Sequence, residues 1–342
     1  MVGLGAIATK MHIPVLSSFE DVIIDSAAEI DTERGKKAAD KFGIPNYYGD
    51  YQEMYEKSDL DGVFVCLPNF LHYESVNKAL KNDLNVFCEK PMGLTAHEAS
   101  KLVEIAQAKD LVLGVGYNRR LDKTYEQAAE MVKGHRLGKL LQINGVLMNT
   151  GPYGGWVPSS DWFFNDKCGV LYDSGPHLMD LMMYILSDKI VEVFAEGVST
   201  MYEIDVFDNI VGTFRTEKGV LGSFNIGWRA GADFDAVQVH GTGCSVVADP
   251  MEIKSKHGMY GPLDKISDNL NSTKAIARSF IGKTTRGIPV SETFFHEDRK
   301  FLDAILNKGK LAASGEDALN TLRVLEAVKQ SLQDKKSVVV KE

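Results

Sequence analysis

The sequence predicts two domains: an α/β domain built on a doubly wound parallel sheet, then an α+β domain with a mostly antiparallel sheet open on one face. Three observations predict this. The chain has 342 residues, too many for one ordinary domain. Its first 120 residues alternate short apolar runs with amphipathic stretches, the rhythm of βαβ units. Beyond about residue 133 the apolar runs follow one another with turn residues between them, as in Glu217-Lys218-Gly219, the habit of antiparallel strands. The boundary is placed at 120/121.

In the first domain, Val22 to about Glu29 reads as a strand and Thr32 to Phe42 as a helix closed by Gly43. Gly62–Leu67 reads as a buried strand, Tyr73–Asn82 as a helix and Asn85–Cys88 as the next strand. Thr95 caps the following helix, with Glu98 as its capping-box partner. Leu111–Gly116 is a further strand, and Tyr125–Lys133 a helix. In the second domain the strands are Leu140–Met148, Ile190–Ser199, Asp208–Arg215, Val220–Trp228 and Ala236–His240. A helix from Asp173 to Leu186 packs on them, and a helical region spans Phe294–Gln333.

The composition excludes several classes. A net charge of −9 argues against nucleic acid as a partner. No apolar run is long enough to span a membrane, and the N-terminus lacks signal-peptide order. Cys66, Cys88, Cys168 and Cys244 are scattered, so buried reduced thiols in a cytoplasmic protein are expected.

The chemistry begins at Gly3-Leu4-Gly5-Ala6-Ile7-Ala8, a G-x-G-x-x-A turn. The first glycine permits the tight turn, the second admits a pyrophosphate to the backbone, and the small third residue lets helix and strand pack closely. Only Met1 and Val2 precede it, where a buried strand of about five or six residues belongs. This points to a start upstream of Met1, with weak cofactor binding and low stability for a chain lacking that strand. Glu29, at the end of the second strand, can accept both adenosine-ribose hydroxyls and repel a 2′-phosphate, which favours NAD over NADP. Two loops at strand C-termini follow, Leu67-Pro68-Asn69-Phe70-Leu71-His72 and Glu89-Lys90-Pro91. Lys90 stands where an ammonium can bond a substrate hydroxyl; a solvated loop lysine is the plain alternative. In Gly169-Val170-Leu171-Tyr172-Asp173-Ser174-Gly175-Pro176-His177-Leu178-Met179-Asp180, Asp173 and His177 share a helical face and Asp180 can also meet the histidine. Such a histidine can exchange protons near neutral pH. A helix cap at Asp173 and a satisfied buried His177 are the alternatives, and one helix supplies too few ligands for zinc, so no metal is expected.

The order G-x-G-x-x-A, acidic residue, P-N-x-x-H, E-K-P, G-Y-N-R-R, then G-x-L-x-D-x-G-x-H-x-x-D resembles the Gfo/Idh/MocA oxidoreductases, the family of glucose–fructose oxidoreductase and inositol dehydrogenase. The resemblance implies a Rossmann domain, then a large, mostly antiparallel sheet whose open face makes a homodimer or homotetramer. It implies Lys90, Asp173 and His177 as the catalytic group: Lys90 polarising the substrate hydroxyl, His177 exchanging its proton, Asp173 positioning. Gly3, Gly5, Ala6, Ile7 and Glu29 would bind the cofactor's phosphates and adenosine, and Pro68, Asn69, His72, Glu89 and Lys90 its ribose and nicotinamide. It also implies a cis Lys90–Pro91 bond, and places Asn118, Arg119 and Trp162 near cofactor or substrate. The reaction implied is hydride transfer between a carbinol carbon of a sugar or polyol and NAD.

Two stretches depart from the pattern: Cys168-Gly169-Val170 stands where three glycines are common, and Gly151-Pro152-Tyr153-Gly154-Gly155-Trp156 is rich in glycine and aromatics. Tyr153 fits a loop capping a sugar face equally as well as a packed surface loop. The Lys and Arg residues of 253–289 suit a phosphorylated or nucleotide-linked sugar, though a solvated face is the plainer reading. Two other classes compete: a non-catalytic NAD(H) sensor of the same fold, and an oligomerisation scaffold. The intact Lys90, Asp173 and His177 argue against the first, and the crevice residues against the second.

Overall fold

The computed structural model describes residues 1–151, 161–165, 167–200, 206–228, 233–250, 253–257 and 292–341. The chain divides into two units, Met1–Asn118 with Ile276–Leu319 and Arg119–Ala275 with Asn320–Glu342. The chain therefore returns to the first unit late in the sequence, a return that a single boundary at 120 does not include.

In the first unit, β1 (Ser26–Ala28) pairs in parallel with β2 (Asn46–Tyr48), and β3 (Gly62–Val65), β4 (Asn85–Cys88) and β5 (Leu113–Val115) pair in parallel with one another. Val2 joins the two groups through parallel bridges to Ala28 and Val65. Its amide donates to the Phe64 carbonyl at 2.8 Å, and its own carbonyl accepts from Cys66 at 2.8 Å. Met1 and Val2 thus occupy the place of the strand expected before Gly3, and Val2 has no exposed surface.

The expected strand at Val22 begins only at Ser26, because its neighbour runs only from Asn46 to Tyr48; Ile23 is 87% exposed. Helices between the strands are delimited by local chemistry. Asp31 caps α1 (Thr32–Phe42) by accepting from the Arg34 amide at 3.0 Å, and Gly43 closes it in the left-handed region. The helices α2 (Tyr51–Lys57) and α3 (His72–Lys81) follow. Thr95 and Glu98 form the predicted capping box of α4 (Ala96–Ala108). The expected final helical region is two helices, α5 (Glu292–Ile305), which belongs to this unit, and a helix over Gly315–Asp334. Phe64, Phe87 and Phe301 pack with Leu4, Ile13 and Phe42 in the core of this unit.

The second unit holds an eight-stranded sheet. Its strands, in spatial order, are Ile253–His257, Cys244–Ala248, Phe234–Gly241, Leu140–Met148, Leu221–Gly227, Asn209–Thr216, Ile190–Val198 and Val338–Val339. Every neighbouring pair is antiparallel except Leu140–Met148 beside Leu221–Gly227, which run parallel. The helix Gly175–Leu186 packs on one face, and Gly145 makes room for it: a Cβ there would lie 2.7 Å from Met182 Sδ and 2.8 Å from Leu178 Cδ1. On the other face Val198, Val211, Leu221 and Phe234 are exposed.

Candidate active site

The glycine turn leads from Val2 into a helix that opens with a π-helical stretch, Ala8–His12, and continues through Ile13–Leu16. Gly3 has φ +82°, and a Cβ on it would meet the Cys66 carbonyl at 2.6 Å, so the turn admits no side chain there. Gly5 differs: a Cβ on it would meet nothing within 4 Å. Internal packing does not require glycine at this position, which fits a backbone kept bare for a phosphate group. Ala6 and Ile7 are half-buried in the first helical turn.

Glu29 is 6% exposed and braces this turn. Its Oε2 accepts from the Leu4 amide at 2.9 Å, and its Oε1 accepts from the Asp31 amide at 3.1 Å and Arg34 Nη2 at 2.7 Å. Burial by itself would raise the Glu29 carboxyl, but the guanidinium and the two amides outweigh it and hold it below the usual carboxylate range. Sequence reasoning missed Arg34 as its partner.

The two loops at the strand C-termini are tied together by His72. Its Nδ1 lies 2.6 Å from the Pro91 carbonyl and its Nε2 2.7 Å from the Leu67 carbonyl. Burial pushes the pKa of this ring down, and the neutral ring donates to one carbonyl at a time. With both nitrogens engaged, His72 contributes by pinning the loops. Asn69 is buried, Pro68 half-buried, and the Lys90–Pro91 bond is cis. Glu89 accepts from the Lys90 amide at 3.1 Å through Oε2, while its Oε1 faces His12 Nε2 at 3.0 Å. Lys90 itself is half-buried. Asn118 donates to Thr293 Oγ1 at 3.4 Å, within the same unit.

In the second unit, Asp173 ends a short helix, Gly169–Asp173, and His177 lies in the next, Gly175–Leu186; both are half-buried. Ser174 between them keeps helical angles, so Asp173 and His177 remain one turn apart. Asp173 is not the cap of this helix, since Ser174 holds that position, with no side-chain bond to the helix's first amides. Its carboxylate Oδ2 instead accepts from Trp228 Nε1 at 3.0 Å and from Ser174 Oγ at 3.4 Å. Asp180, expected to be available to His177, is bound by Arg120 through two bonds, Nε at 2.7 Å and Nη2 at 2.6 Å. Arg119 pairs with Asp235, which also accepts from the Tyr125 hydroxyl at 2.8 Å; burial lowers the pKa of Arg119. Tyr153 and the Trp162 side chain lie outside the described residues. All four cysteines are buried thiols outside any disulfide, and burial pushes Cys66 up to about 12.

Two domain descriptions match the chain: the Gfo/Idh/MocA oxidoreductase family, NAD-binding Rossmann fold, over residues 1–117, and the Gfo/Idh/MocA C-terminal domain over residues 125–247. The chain belongs to the Gfo/Idh/MocA oxidoreductase family. The myo-inositol 2-dehydrogenase of Thermotoga maritima is 26% identical to this family member, over 100% of this chain and 98% of its own. The D-glucoside 3-dehydrogenase of Escherichia coli is 28% identical over about half of each, 54% of this chain and 53% of its own. Among solved structures, a levoglucosan dehydrogenase in complex with NADH and levoglucosan superposes with a TM-score of 0.85 at 22% identity, covering 99% of this chain and 98% of that one. The chain is thus an oxidoreductase with a Rossmann-type first unit and a mostly antiparallel second sheet, as its motifs imply.

Proposed function

We propose that this oxidoreductase is an NAD-dependent dehydrogenase acting on a carbinol carbon of a sugar, polyol or sugar derivative, with Lys90, Asp173 and His177 as its catalytic group. The observation that carries the reading is the Asp173 carboxylate, oriented by the Trp228 indole N–H at 3.0 Å one helical turn before His177. A carboxylate so fixed is suited to orienting a substrate hydroxyl beside a base. The full-length similarity to a myo-inositol 2-dehydrogenase supports the substrate class.

Gly3, Gly5, Ala6 and Ile7 would hold the cofactor's pyrophosphate, Glu29 its adenosine ribose, and Pro68, Asn69, Glu89 and Lys90 its ribose and nicotinamide, over loops pinned by His72. NAD, when bound, supplies the hydride acceptor. The protein's part is orientation and proton transfer. Lys90 bonds the substrate hydroxyl and favours its ionised form. His177 takes the proton in oxidation and returns it in reduction. Asn118, Arg119, Tyr153 and Trp162 are proposed to contact cofactor or substrate. The Glu29 carboxylate, followed by exposed Ile30 (87%), favours NAD over NADP by repelling a 2′-phosphate. The exposed apolar residues Val198, Val211, Leu221 and Phe234 make the open face of the second unit's sheet the surface for a second copy of the chain.

The test is NADH formation, followed by its near-ultraviolet absorbance, over a panel of inositols, free sugars, glycosides and sugar phosphates with NAD and with NADP. Turnover of at least one polyol or sugar with NAD is expected. NADH binding with no turnover across the panel overturns the reading in favour of a sensor. His177→Ala and Lys90→Ala should lower kcat far more than NADH affinity; retained turnover in either removes that residue from the group.

A further inference from the structure

His12 ends the Ala8–His12 stretch of the helix that follows the glycine turn, with no exposed surface. Both ring nitrogens face carboxylates. Nδ1 is 2.9 and 3.1 Å from the two oxygens of Asp298, and Nε2 is 3.0 Å from Glu89 Oε1. Asp298, itself unexposed, belongs to α5, and the rings of Phe64, Phe87 and Phe294 close around the imidazole at 5.3–5.5 Å. The Glu89 carboxyl is confined from another side by Gly116, where a Cβ would come within 3.2 Å of it. Its second oxygen accepts from the Lys90 amide at 3.1 Å. An unbroken chain of bonds therefore runs from Asp298 through His12 and Glu89 to the backbone of Lys90.

Two carboxylates out of water would repel each other unless a cation stood between them. Burial alone would lower the His12 pKa, but Asp298 and Glu89 outweigh it and hold the ring protonated well above its usual range. Glu89 is held below its ordinary range by His12 despite burial, whereas burial raises Asp298. Cys66 is a further titratable neighbour, and it is neutral, its thiol pushed up to about 12 by burial. Doubly protonated, the ring donates at both nitrogens, which is what two acceptors on opposite sides require.

We propose that His12 is a positioning residue, which with Asp298 fixes the Glu89 carboxylate and through it the Glu89–Lys90–Pro91 turn that carries Lys90. The proposal rests on the reading of Lys90 as catalytic. It adds to that reading a residue from the cofactor-binding helix and one from α5, neither of which touches substrate. In the absence of this clamp the turn keeps its tie to His72 but loses the bond from His12 that orients Glu89.

The experiment uses the intact chain and two readouts. The first is the acylation rate of Lys90 by acetic anhydride, measured by peptide mass spectrometry against exposed Lys36; it needs no substrate. The second is kcat and NADH Kd on the best substrate of the panel above. Asn at position 12 places its amide near Nδ1 and keeps only Asp298, whereas Gln reaches toward the Nε2 position and Glu89. In His12→Asn, Lys90 labelling is expected to rise about fivefold and kcat to fall about tenfold, with NADH Kd little changed. His12→Gln should recover most of both. Asp298→Asn, which keeps the ring but removes the charge holding its second proton, should shift labelling the same way by less. It should also give a kcat that declines as pH rises through a range where the parent is flat. Unchanged Lys90 labelling in His12→Asn and Asp298→Asn overturns the proposal, as does an equal loss in His12→Asn and His12→Gln. If either histidine variant fails to fold, Asp298→Asn decides by its labelling and pH profile. Absence of turnover in the parent overturns the function proposed above but leaves the labelling result to judge His12.

Discussion

Arg120 and Asp180 clasp each other through two parallel bonds of 2.7 and 2.6 Å, and both side chains are almost wholly buried, at 9% and 2% exposure. The guanidinium also stacks over the Tyr184 ring at 5.1 Å. Such a pair is a poor source of net stability but a costly thing to break, because removing one partner strands a charge out of water. Asp180→Asn is therefore expected to lower the unfolding free energy by about 3–5 kcal/mol, measured by urea denaturation. The double variant Arg120→Met with Asp180→Leu should recover most of that loss, since neither charge remains. A double variant as unstable as the single one would show that the cost lies in packing and not in the stranded charge.

The two glycines of the first turn separate fold from cofactor. Gly3→Ala puts a Cβ 2.6 Å from the Cys66 carbonyl at a φ of +82°, a backbone clash with a strained conformation added, and should destabilise the protein by several kcal/mol. Gly5→Ala meets nothing within 4 Å, so the melting temperature should stay within a few degrees of the parent. NADH affinity in Gly5→Ala should fall by about tenfold or more, because the methyl group occupies the space a pyrophosphate needs. Fluorescence titration of NADH alongside thermal melting checks both. Parent-like NADH binding by Gly5→Ala would remove the phosphate from this turn.

What was legible in the sequence was local. Thr95 and Glu98 form their capping box because the partners lie three residues apart, and Gly43 ends its helix by its own backbone freedom. The strand Leu140–Met148 is found with its expected bounds. Strands set by their neighbours were harder to read: Ser26–Ala28 is shorter than its apolar run because Asn46–Tyr48 is short, and Cys244–Ala248 follows a Gly-Thr-Gly turn that hid its alternation. The site's supporting residues were hidden for the same reason. His12 meets Asp298 across 286 positions, Arg120 meets Asp180 across 60, and Trp228 meets Asp173 across 55, and no spacing rule reaches so far. A buried histidine in the apolar helix after the glycine turn was the one local sign, and it points to His12.

Glu29 makes a prediction about pH. Its folded-state carboxyl lies below its ordinary value of 4.5, so the folded protein binds fewer protons there than the unfolded chain does. The stability it contributes is complete above that value and is lost as pH falls below it toward the depressed folded pKa. Glu29→Gln should lower stability at neutral pH and flatten the acid limb of a stability–pH curve between about pH 5 and 3. It should also narrow the NAD-over-NADP preference proposed above, since the charge proposed to repel a 2′-phosphate is gone. Parallel acid limbs in parent and variant would show that Glu29 is not held below its ordinary range.

Trp228 is 1% exposed, and its indole edge meets Phe164 at 6.3 Å and 79°. Gly151, at φ +62°, lets the chain pass over it, since a Cβ there would lie 2.8 Å from the ring. The ring is thus held by packing while its N–H is spent on Asp173 at 3.0 Å. Trp228→Phe retains an aromatic ring in this place and removes the donor. A hydrogen bond to a charged acceptor contributes about 1.5–3 kcal/mol, so a carboxylate released from it loses orientation at a cost of at least about tenfold in kcat. NADH affinity, whose proposed phosphate and adenosine contacts lie in the first unit, should change little. Trp228→Tyr restores an aromatic hydroxyl that cannot occupy the indole N–H position, so it should behave like Phe and not like the parent. Steady-state kinetics on both variants, with NADH titration beside them, decide the matter: parent-like kcat in Trp228→Phe would mean that Asp173 is positioned without the indole.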